Sequence, residues 1–504
     1  MQISKTAVAA AMVAAAWTGA AAAEGRDVTI VLNEEVDVME PCMVGRQNIS
    51  RIISQNITER LTEYNYRDGG IMPRLATSWE QVDEDTWRFH LRDGVKFHDG
   101  GDFTAEDVIF SIQRNQNPNL PCEVGAKFFG GIDFSFETPD PHTLEITTSP
   151  PSPILPLLMA VMPVESRAAT PENEFTRAPV GTGPYVFDSW DVGKSIKLAR
   201  NPDYWGEQPI VESASYVFRA DSAVAAAMVQ AGEADIVPSI AIQDATDPET
   251  DFSYPNSETT RIRINTLEPP LDDRRVREAL NLAIDREAMI GTLFSEDVQI
   301  ATQLVVPTTM GYNKDIEPFP YDPDRARALL AEAKADGVPV DMPIHMIGRV
   351  NQFANATEAM EAIAAMLREV GFNIDLQMND VSVWNTYFVK PFPDDDGPSL
   401  TQAQHDNAMG DPVFTAYVKY HSDGAHSMVS DPELDTAIEK ATAATGAERE
   451  ALWQKVFARA NDEIIADIML FHMVGYTRVS PRLAFTPTIA TNLELQLSQI
   501  GFND

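Results

Sequence analysis

The residue patterns that most often carry catalysis are missing from this chain. His-Glu-x-x-His, Gly-x-Ser-x-Gly and Gly-x-Gly-x-x-Gly, which serve zinc, serine and dinucleotide chemistry, do not occur in the sequence. Gly193-Lys194-Ser195 resembles the end of a phosphate-binding loop, but Asp188 stands where that loop requires glycine. We interpret this segment as a hairpin turn, and we expect a protein that is not an enzyme.

The histidines do not show a metal-binding spacing either. His405, His421 and His426 lie nearest one another among the eight histidines. No two of them are four positions apart, the spacing that puts two imidazole rings on one face of a helix. We therefore expect no metal site and no cofactor.

Acidic side chains outnumber basic ones, 76 to 38, which gives a formal net charge of -38 at pH 7. Nucleic acid is bound by lysine and arginine side chains that neutralise phosphates. A chain this acidic would repel nucleic acid and anionic lipid surfaces alike. Nucleic acid is thus excluded as a partner, and we interpret the acidic residues as a solvated surface.

The N-terminus has the order of a signal peptide. Lys5 precedes an apolar run from Ala7 to Trp17, and small residues from Gly19 to Ala23 follow it. The run is shorter than the roughly 20 residues that span a bilayer. We predict a signal peptide over residues 1–23 and, because no cysteine follows the run, a soluble periplasmic protein without a lipid anchor. The alternative is an N-terminal amphipathic or core helix.

The chain contains two cysteines, Cys42 and Cys122. An even number of cysteines in an oxidising compartment favours a disulfide between them. The alternative is two free, buried thiols.

The length of 504 residues exceeds what one hydrophobic core usually fills, so at least two domains are expected. Helix and strand signals alternate along the whole chain, which predicts an α/β fold. Capping residues predict helices that start at Thr104, at Asp221 or Ser222, at Asp322-Pro323 and at Asp431-Pro432, and one over Ala356 to Gly371 that leads into a strand.

Apolar and polar residues alternate at period two from Trp79 to Phe97, the pattern of strands with one buried face. We predict a hairpin that turns at Arg92-Asp93-Gly94 and whose aromatic side chains belong to the core rather than to a binding cleft.

Four segments resemble one known protein family. They run from Arg74 to Arg114, from Pro179 to Pro209, from Asp221 to Val237 and from Pro269 to Ile290. The order of these segments and their amino-acid sequences, for example "PVGTGPYVFDSW" in the second, resemble those of one family. This is the dipeptide-, oligopeptide- and nickel-binding family of periplasmic solute-binding proteins.

This resemblance implies a two-lobed periplasmic binding protein fold of α/β type, with an extra subdomain in lobe one. We expect lobe one to comprise residues 24–266 and 479–504, with the inserted subdomain at about 73–177. Residues 267–478 would form lobe two. A ligand enclosed between the lobes would favour a closed state that an inner-membrane ABC permease complex recognises.

The family commonly uses an aspartate within Trp-x-x-Asp-x-x-Asp-Pro to hold a ligand amine. Aligning that motif on Asp411-Pro412 puts Ala408 at the aspartate position and His405 at the tryptophan position. An alignment with a two-residue insertion puts Asp406 and Asn407 there instead, and both alignments stay open.

The opposite wall of the site would include the loop from Asp37 to Arg46, from which we select Met39, Glu40 and Arg46 as candidate ligand contacts. Two aromatic side chains, Trp384 and Tyr387, are candidates for further walls of the site.

The sequence therefore predicts a monomeric periplasmic protein that captures a peptide or peptide-like solute for an ABC importer. A non-peptide solute, such as an opine, a glutathione-like compound or a metal chelate, is the alternative within the same fold. A periplasmic hydrolase is the alternative from another class, and it would need a nucleophile and base brought together only by folding.

Overall fold

The computed structural model describes residues 25–65, 70–350, 352–353, 355–393, 397–408 and 410–503. The predicted signal peptide lies outside these residues. The strands are β1 (Asp27–Leu32), β2 (Thr62–Tyr64), β3 (Ile71–Pro73), β4 (Ala76–Gln81), β5 (Thr86–Leu91), β6 (Asp133–Asp140), β7 (Thr143–Ser149), β8 (Tyr185–Asp191), β9 (Ser195–Arg200), β10 (Ser213–Phe218), β11 (Ile236–Val237), β12 (Asp251–Ile264), β13 (Gln299–Ile300), β14 (Pro343–Arg349), β15 (Asn373–Asn379), β16 (Ser399–Asp406), β17 (Asp467–Val479), β18 (Leu483–Ala484) and β19 (Gly501–Phe502). The α-helices are α1 (Gln47–Ile53), α2 (Ala105–Asn115), α3 (Glu123–Phe128), α4 (Leu155–Leu158), α5 (Ser222–Gln230), α6 (Arg274–Leu282), α7 (Pro323–Ala335), α8 (Ala356–Val370), α9 (Val381–Phe388), α10 (Val413–Tyr420), α11 (Pro432–Ala443) and α12 (Gly446–Ala458).

One large mixed sheet runs through the molecule in the order β15-β14-β16-β12-β17-β11-β1-β10-β9-β8, and β13 pairs with β17. Two separate sets of buried side chains cover its two ends. The first includes Ile30, Tyr185, Ala214 and Ile236, and the second includes Ile262, Ile344, Ile374 and Leu400. We call the part around the first set lobe one. Lobe two is the part around the second set, together with the adjoining cluster around Trp453.

β12 and β17 are the long antiparallel strands shared by both lobes. Their lobe-one halves pair from Asp251 opposite Arg478 to Pro255 opposite Val474, and their lobe-two halves pair from Thr259 opposite His472 onwards. Between Pro255 and Thr259, β12 has two more residues than the facing stretch of β17, which is a β-bulge. The bulge lifts Asn256, Ser257 and Glu258 out of the β12–β17 ladder where the chain passes between the lobes. The predicted lobe limits at residues 266 and 479 lie near the ends of these strands and stay predictions.

A second sheet, β4-β5-β7-β6, lies within residues 76–149, inside the range predicted for the inserted subdomain. Its strand β5 buries Phe89 and Leu91 in the core of lobe one. The predicted hairpin about Arg92-Asp93-Gly94 is wrong, because β5 ends at Leu91 and pairs with β4, which precedes it, and with β7. β4 and β5 turn at residues 82–85, where the Asp83 side chain accepts a hydrogen bond from the Asp85 amide, so no glycine is needed.

The capping residues define the helix ends as predicted. The Thr104 and Asp107 side chains form a capping box at the start of α2, and Asp221 accepts a hydrogen bond from the Val224 amide at the start of α5. Gly371 ends α8 with a φ of 113°, a conformation that glycine adopts without strain, and β15 follows. Gly193 lies in the tight turn between β8 and β9, which confirms the hairpin.

Cys42 and Cys122 form a disulfide in the structure, with their Cα atoms 5.2 Å apart. Cys42 lies between β1 and α1, and Cys122 directly precedes α3. The bond therefore ties the segment after β1 to the subdomain of lobe one.

Replacing both cysteines with alanine should lower the free energy of unfolding by about 4 kcal/mol, because the bond closes a long loop in the unfolded chain. The two cysteines are 80 positions apart. Urea unfolding of the double variant and the wild type measures the difference, and reduced wild-type protein should lose a similar amount. Two thiols that react with a labelling reagent in denatured, unreduced protein would contradict the bond.

Candidate functional site

Two cavities lie in the cleft between the lobes, on either side of the C-terminal end of β16. The first has a volume of about 440 Å³ and the second about 560 Å³. Gln404, near the end of β16, lines both. Each cavity has walls from both lobes, so a molecule held in either one would touch both.

The first cavity is built around the bulge in β12 and the facing part of β17. Lobe one contributes the ends of β1 and α5 and the bulge, and lobe two contributes the loop before β13 and the segment before α8. The polar lining residues are Asn33, Gln47, Ser222, Ser239, Tyr254, Asn256, Glu258, Ser295, Gln352, Gln404, Tyr476 and Asn492. Tyr476 joins the lobes across this cavity through hydrogen bonds to Ser295 and Asp297.

The second cavity lies between the subdomain of lobe one and helix α10 of lobe two. Its lobe-one wall is mainly apolar and includes Ile132, Pro150, Pro151, Pro153, Ile154 and Leu158. Its lobe-two wall carries His405, Asp406, Lys419 and His426. The rings of Phe128 and Phe414 meet edge to face at 5.1 Å where the two walls touch.

Two carboxylates face each other where the cavities adjoin. Glu258 of the bulge and Asp406 at the end of β16 are cross-strand partners. Glu258 accepts a hydrogen bond from Gln404, and burial together with the nearby Asp406 raises the pKa of Glu258 to about 7. Among the described residues, no lysine or arginine forms an ion pair with either carboxylate.

Asp406 is held by neutral donors from both lobes. Its Oδ1 accepts hydrogen bonds from Ser257 Oγ at 2.5 Å and from the Ala408 amide at 2.8 Å. Ser257 Oγ in turn accepts a hydrogen bond from Asn492 Nδ2 at 3.0 Å, and Asn492 binds Gln47 of α1. This network connects the predicted anchor on lobe two to helix α1 of lobe one.

The other residues of the predicted anchor segment have structural partners. Asn407 donates to the carbonyl oxygens of Ser257 and Leu304. Ala408 is buried and lines neither cavity. Asp411 is also buried and forms a two-point ion pair with Arg449. Of the two alignments of this segment, the one that puts Asp406 at the anchor brings a carboxylate to the cleft.

His405 lines the second cavity and bonds Thr415 Oγ1 through Nε2 at 2.6 Å. Burial, followed by the charge of Lys419, lowers the pKa of His405 well below its usual value. Lys419 is buried in the same wall, and its Nζ lies 2.5 Å from His426 Nδ1. Sequence analysis missed Lys419 and Glu258, because each stands in a segment whose pattern predicts only a helix or a strand.

The remaining candidates do not line either cavity. Met39 is buried in the core of lobe one, and Glu40 binds Arg114 there through both carboxylate oxygens. Arg46 lies between Asp37 and Glu123, at 3.0 and 2.8 Å, on the surface.

The predicted aromatic walls are core residues in the structure. Trp384 donates its indole N–H to the carbonyl of Gln402 and stacks on Phe388, and Tyr387 packs against the same cluster. These side chains stabilise α9 against the sheet of lobe two.

No group of three or more histidine, cysteine or acidic side chains that could hold a metal ion occurs within the described ranges. A search of the same residues finds no helix with the length and apolar character needed to cross a bilayer.

Glu258→Gln should make the ligand-free protein more stable at high pH but not at low pH. A carboxyl group whose pKa is raised by folding binds more protons in the folded than in the unfolded state, so stability falls as pH rises from about 4.5 to about 7. The variant removes this loss, about 2 to 3 kcal/mol at pH 8, and should differ from the wild type by only about 1 kcal/mol or less near pH 5.

Urea unfolding at about pH 5 and pH 8 measures both values. Glu137→Gln, which removes an exposed carboxylate of β6, is the matched control and should show no such difference. An equal effect of Glu258→Gln at both pH values would mean that Glu258 is ionised throughout.

Comparison with known proteins identifies relatives over most of the chain. Heme-binding protein A of Haemophilus influenzae is 29% identical over 470 residues, which cover 85% of this chain and 84% of that protein. Dipeptide-binding protein of Escherichia coli is 31% identical over 345 residues, 62% of this chain and 64% of that protein.

Solved structures share the fold. The ABC transporter substrate-binding protein CtaP from Listeria monocytogenes superimposes with a TM-score of 0.82 at 21% identity, covering 95% of this chain and 100% of that one. DppA from Helicobacter pylori, a periplasmic binding protein in complex with the peptide STSA, gives a TM-score of 0.76 at 20% identity, over 95% and 98% of the two chains.

These likenesses confirm the predicted two-lobed α/β fold. The sequence profile of the family described as bacterial extracellular solute-binding proteins, family 5 Middle, matches residues 70–427. The chain belongs to the family 5 bacterial extracellular solute-binding proteins.

Proposed function

We propose that this chain is a monomeric periplasmic protein that captures a small peptide-like solute with a free amine and delivers it to an inner-membrane ABC permease complex. The observation that carries this proposal is the pair of carboxylates in the cleft, Glu258 and Asp406, without a cationic partner among the described residues. A carboxylate that loses water on closure is costly unless a cation or several donors meet it. An ammonium group on the solute meets that need.

The walls of the cleft support a solute of peptide size. Cavities of about 440 and 560 Å³ adjoin at Gln404, and each is within the range that encloses a small molecule. Amide side chains such as Asn33, Gln352 and Gln404 can donate to or accept from peptide groups without fixing a particular sequence. Relatives named for dipeptide and heme binding, and a structural neighbour with bound peptide, are consistent with a solute of this size.

Native mass spectrometry of protein purified from its own periplasm would identify the solute that stays bound. A panel of dipeptides, tripeptides, opines and glutathione, each with its N-acetylated form where one exists, should then be tested by thermal unfolding. Compounds with a free amine should stabilise the protein, by about 2.7 kcal/mol at 100 times the dissociation constant. Equal stabilisation by the acetylated forms would overturn the proposed amine recognition.

Ligand binding should bring the lobes together as rigid bodies. The lobes are joined by β12 and β17, and the bulge at Pro255–Thr259 interrupts their pairing at the crossing, which is where a hinge would bend. Small-angle scattering should therefore show a smaller radius of gyration with saturating ligand. An unchanged radius with a ligand of proven affinity would contradict closure by hinge motion.

Asp406→Asn should weaken binding of the free-amine solute by about 2 to 5 kcal/mol, because the ammonium loses its charged partner while the hydrogen-bond acceptor is kept. Acetylating the amine should cost a comparable amount. The two changes combined should cost much less than their sum, because each removes the same interaction.

Calorimetry on the four combinations measures this coupling. Asp272→Ala removes an exposed carboxylate of lobe two and should leave affinity unchanged. Wild-type affinity in Asp406→Asn would mean that Asp406 is not the anchor, and it would favour an anionic or neutral solute.

A further inference from the structure

The second cavity has an unequal distribution of charge and apolar surface. Its lobe-one wall consists mainly of proline, isoleucine and leucine side chains. Its lobe-two wall carries three residues with basic side chains, His405, Lys419 and His426. A further basic residue, Lys127 of α3, is exposed at the rim.

Lys419 is the unusual member of this wall, because its side chain is buried and no ion pair with a carboxylate is found for it among the described residues. Its exposed fraction is 6%. Its Nζ meets His426 Nδ1 at 2.5 Å and lies 4.7 Å from the ring centroid of Phe388. An ammonium group has three donors, and these contacts leave capacity for another acceptor.

The charges around Lys419 are mostly positive. Arg261 and Arg263 of β12 and Lys127 of α3 all repel a positive charge on Lys419. On β17, Asp467 is the opposing charge, but it is already bound to Arg261 and to the Tyr420 hydroxyl. The other titratable groups of this cavity wall are His405, His426, Tyr417 and Asp406, and Asp406 Oδ1 accepts hydrogen bonds from Ser257 and Ala408.

We infer that the second cavity is a subsite for a carboxylate with an apolar carbon chain, which binds Lys419 through its oxygens and lies with its chain against the Pro150–Ile154 wall. His405 and His426 flank the carboxylate. This subsite rests on the proposed function only in that it lies in the same cleft, where it would hold the acidic end or an acidic side group of the solute.

Binding of an anion should also change the protonation of the wall. Burial, followed by repulsion from Arg261 and Arg263, lowers the pKa of Lys419 well below its usual value. A carboxylate beside the ammonium acts in the opposite direction and raises that pKa. Affinity for a carboxylate is therefore expected to rise as the pH falls, and affinity for a neutral analogue is not.

Three probes separate charge from apolar contact: hexanoate, hexanamide, which has the same chain without the charge, and inorganic phosphate, which has charge without the chain. Ligand-observed NMR can measure their weak affinities. In wild-type protein, hexanoate should bind about tenfold more tightly than either of the other two. Equal binding of hexanoate and hexanamide, or no binding of hexanoate, would overturn the subsite, and preference for phosphate would mean a general anion site without the apolar wall.

Lys419→Met keeps the length of the side chain and removes its charge. It should weaken hexanoate binding by about 30-fold and leave hexanamide binding unchanged. Lys197→Met, an exposed position of β9, removes the same charge far from the cavity lining and should behave as wild type. Unchanged hexanoate affinity in Lys419→Met would refute the role of Lys419.

The thermal stability of the ligand-free variant provides a second measurement. A buried ammonium without a carboxylate partner is costly, so Lys419→Met should have a Tm equal to or above that of the wild type. A lysine kept for structure would give the opposite result. A variant that does not fold would refute the claim that Lys419 is kept for binding rather than for structure. The comparison of hexanoate with hexanamide in wild-type protein would still decide whether the cavity binds a carboxylate.

The same probes distinguish this subsite from the proposed function. Binding of hexanoate without binding of any free-amine solute would leave the subsite and refute the proposed amine capture. Binding of free-amine peptides without any preference for hexanoate would refute the subsite and leave the proposed amine capture.

Discussion

The antiparallel pairing of β12 with β17, and its interruption between Pro255 and Thr259, is the constraint on which the rest of the molecule depends. Both strands contribute side chains to both lobes, so the lobes cannot separate without breaking this ladder. The bulge breaks the ladder at the crossing, where bending costs the fewest hydrogen bonds. It also takes Ser257 and Glu258 out of the β12–β17 ladder, beside the end of β16, where Glu258 pairs with Asp406. The same irregularity positions the polar groups of the cleft, and it is the hinge in the closure proposed above.

Buried charges in this protein fall into two kinds. Arg114 with Glu40, Arg449 with Asp411 and Arg60 with Glu494 are matched pairs within the scaffold, at 2.6 to 2.9 Å. Breaking one of them would leave a buried charge without compensation, so they hold loops in place without attracting a ligand. Other charges form no ion pair among the described residues. Arg277 and Arg286 are buried in lobe two and donate to backbone carbonyls, whereas Glu258, Asp406 and Lys419 line the cavities of the inter-lobe cleft. Unmatched buried charge is costly to the empty protein, and a ligand of opposite charge removes the cost.

Local sequence rules predicted the elements well and the site only in part. A capping side chain or a helix-ending glycine acts within four residues, so α2, α5, α8 and the hairpin at Gly193 could be placed from sequence. The β4–β5 turn was misplaced because an aspartate side chain, rather than a glycine, makes it. Met39 and Glu40 were chosen for their position after the first strand, but both are buried in the structure. Glu40 binds Arg114, which is 74 positions away in the sequence, so no local pattern could predict the contact. Glu258 and Lys419 gain their character from neighbours that only folding brings near, which no local pattern reports.

In the proposed function, closure and charge are coupled through Glu258 and Asp406, which are cross-strand partners at the bulge where the chain passes between the lobes. Closing the empty cleft would remove water from two carboxylates that repel each other, and the raised pKa of Glu258 reflects burial first and then this repulsion. The empty protein can relieve the repulsion by opening or by taking up a proton, whereas a bound ammonium group relieves it in the closed state. A ligand shifts a conformational equilibrium only by its difference in affinity for the two states. A cation between these carboxylates has that difference, since its attraction to them is strongest when closure has excluded water. Under the proposed amine capture, the electrostatic cost of the closed, empty cleft is therefore what would distinguish a bound solute from an empty site.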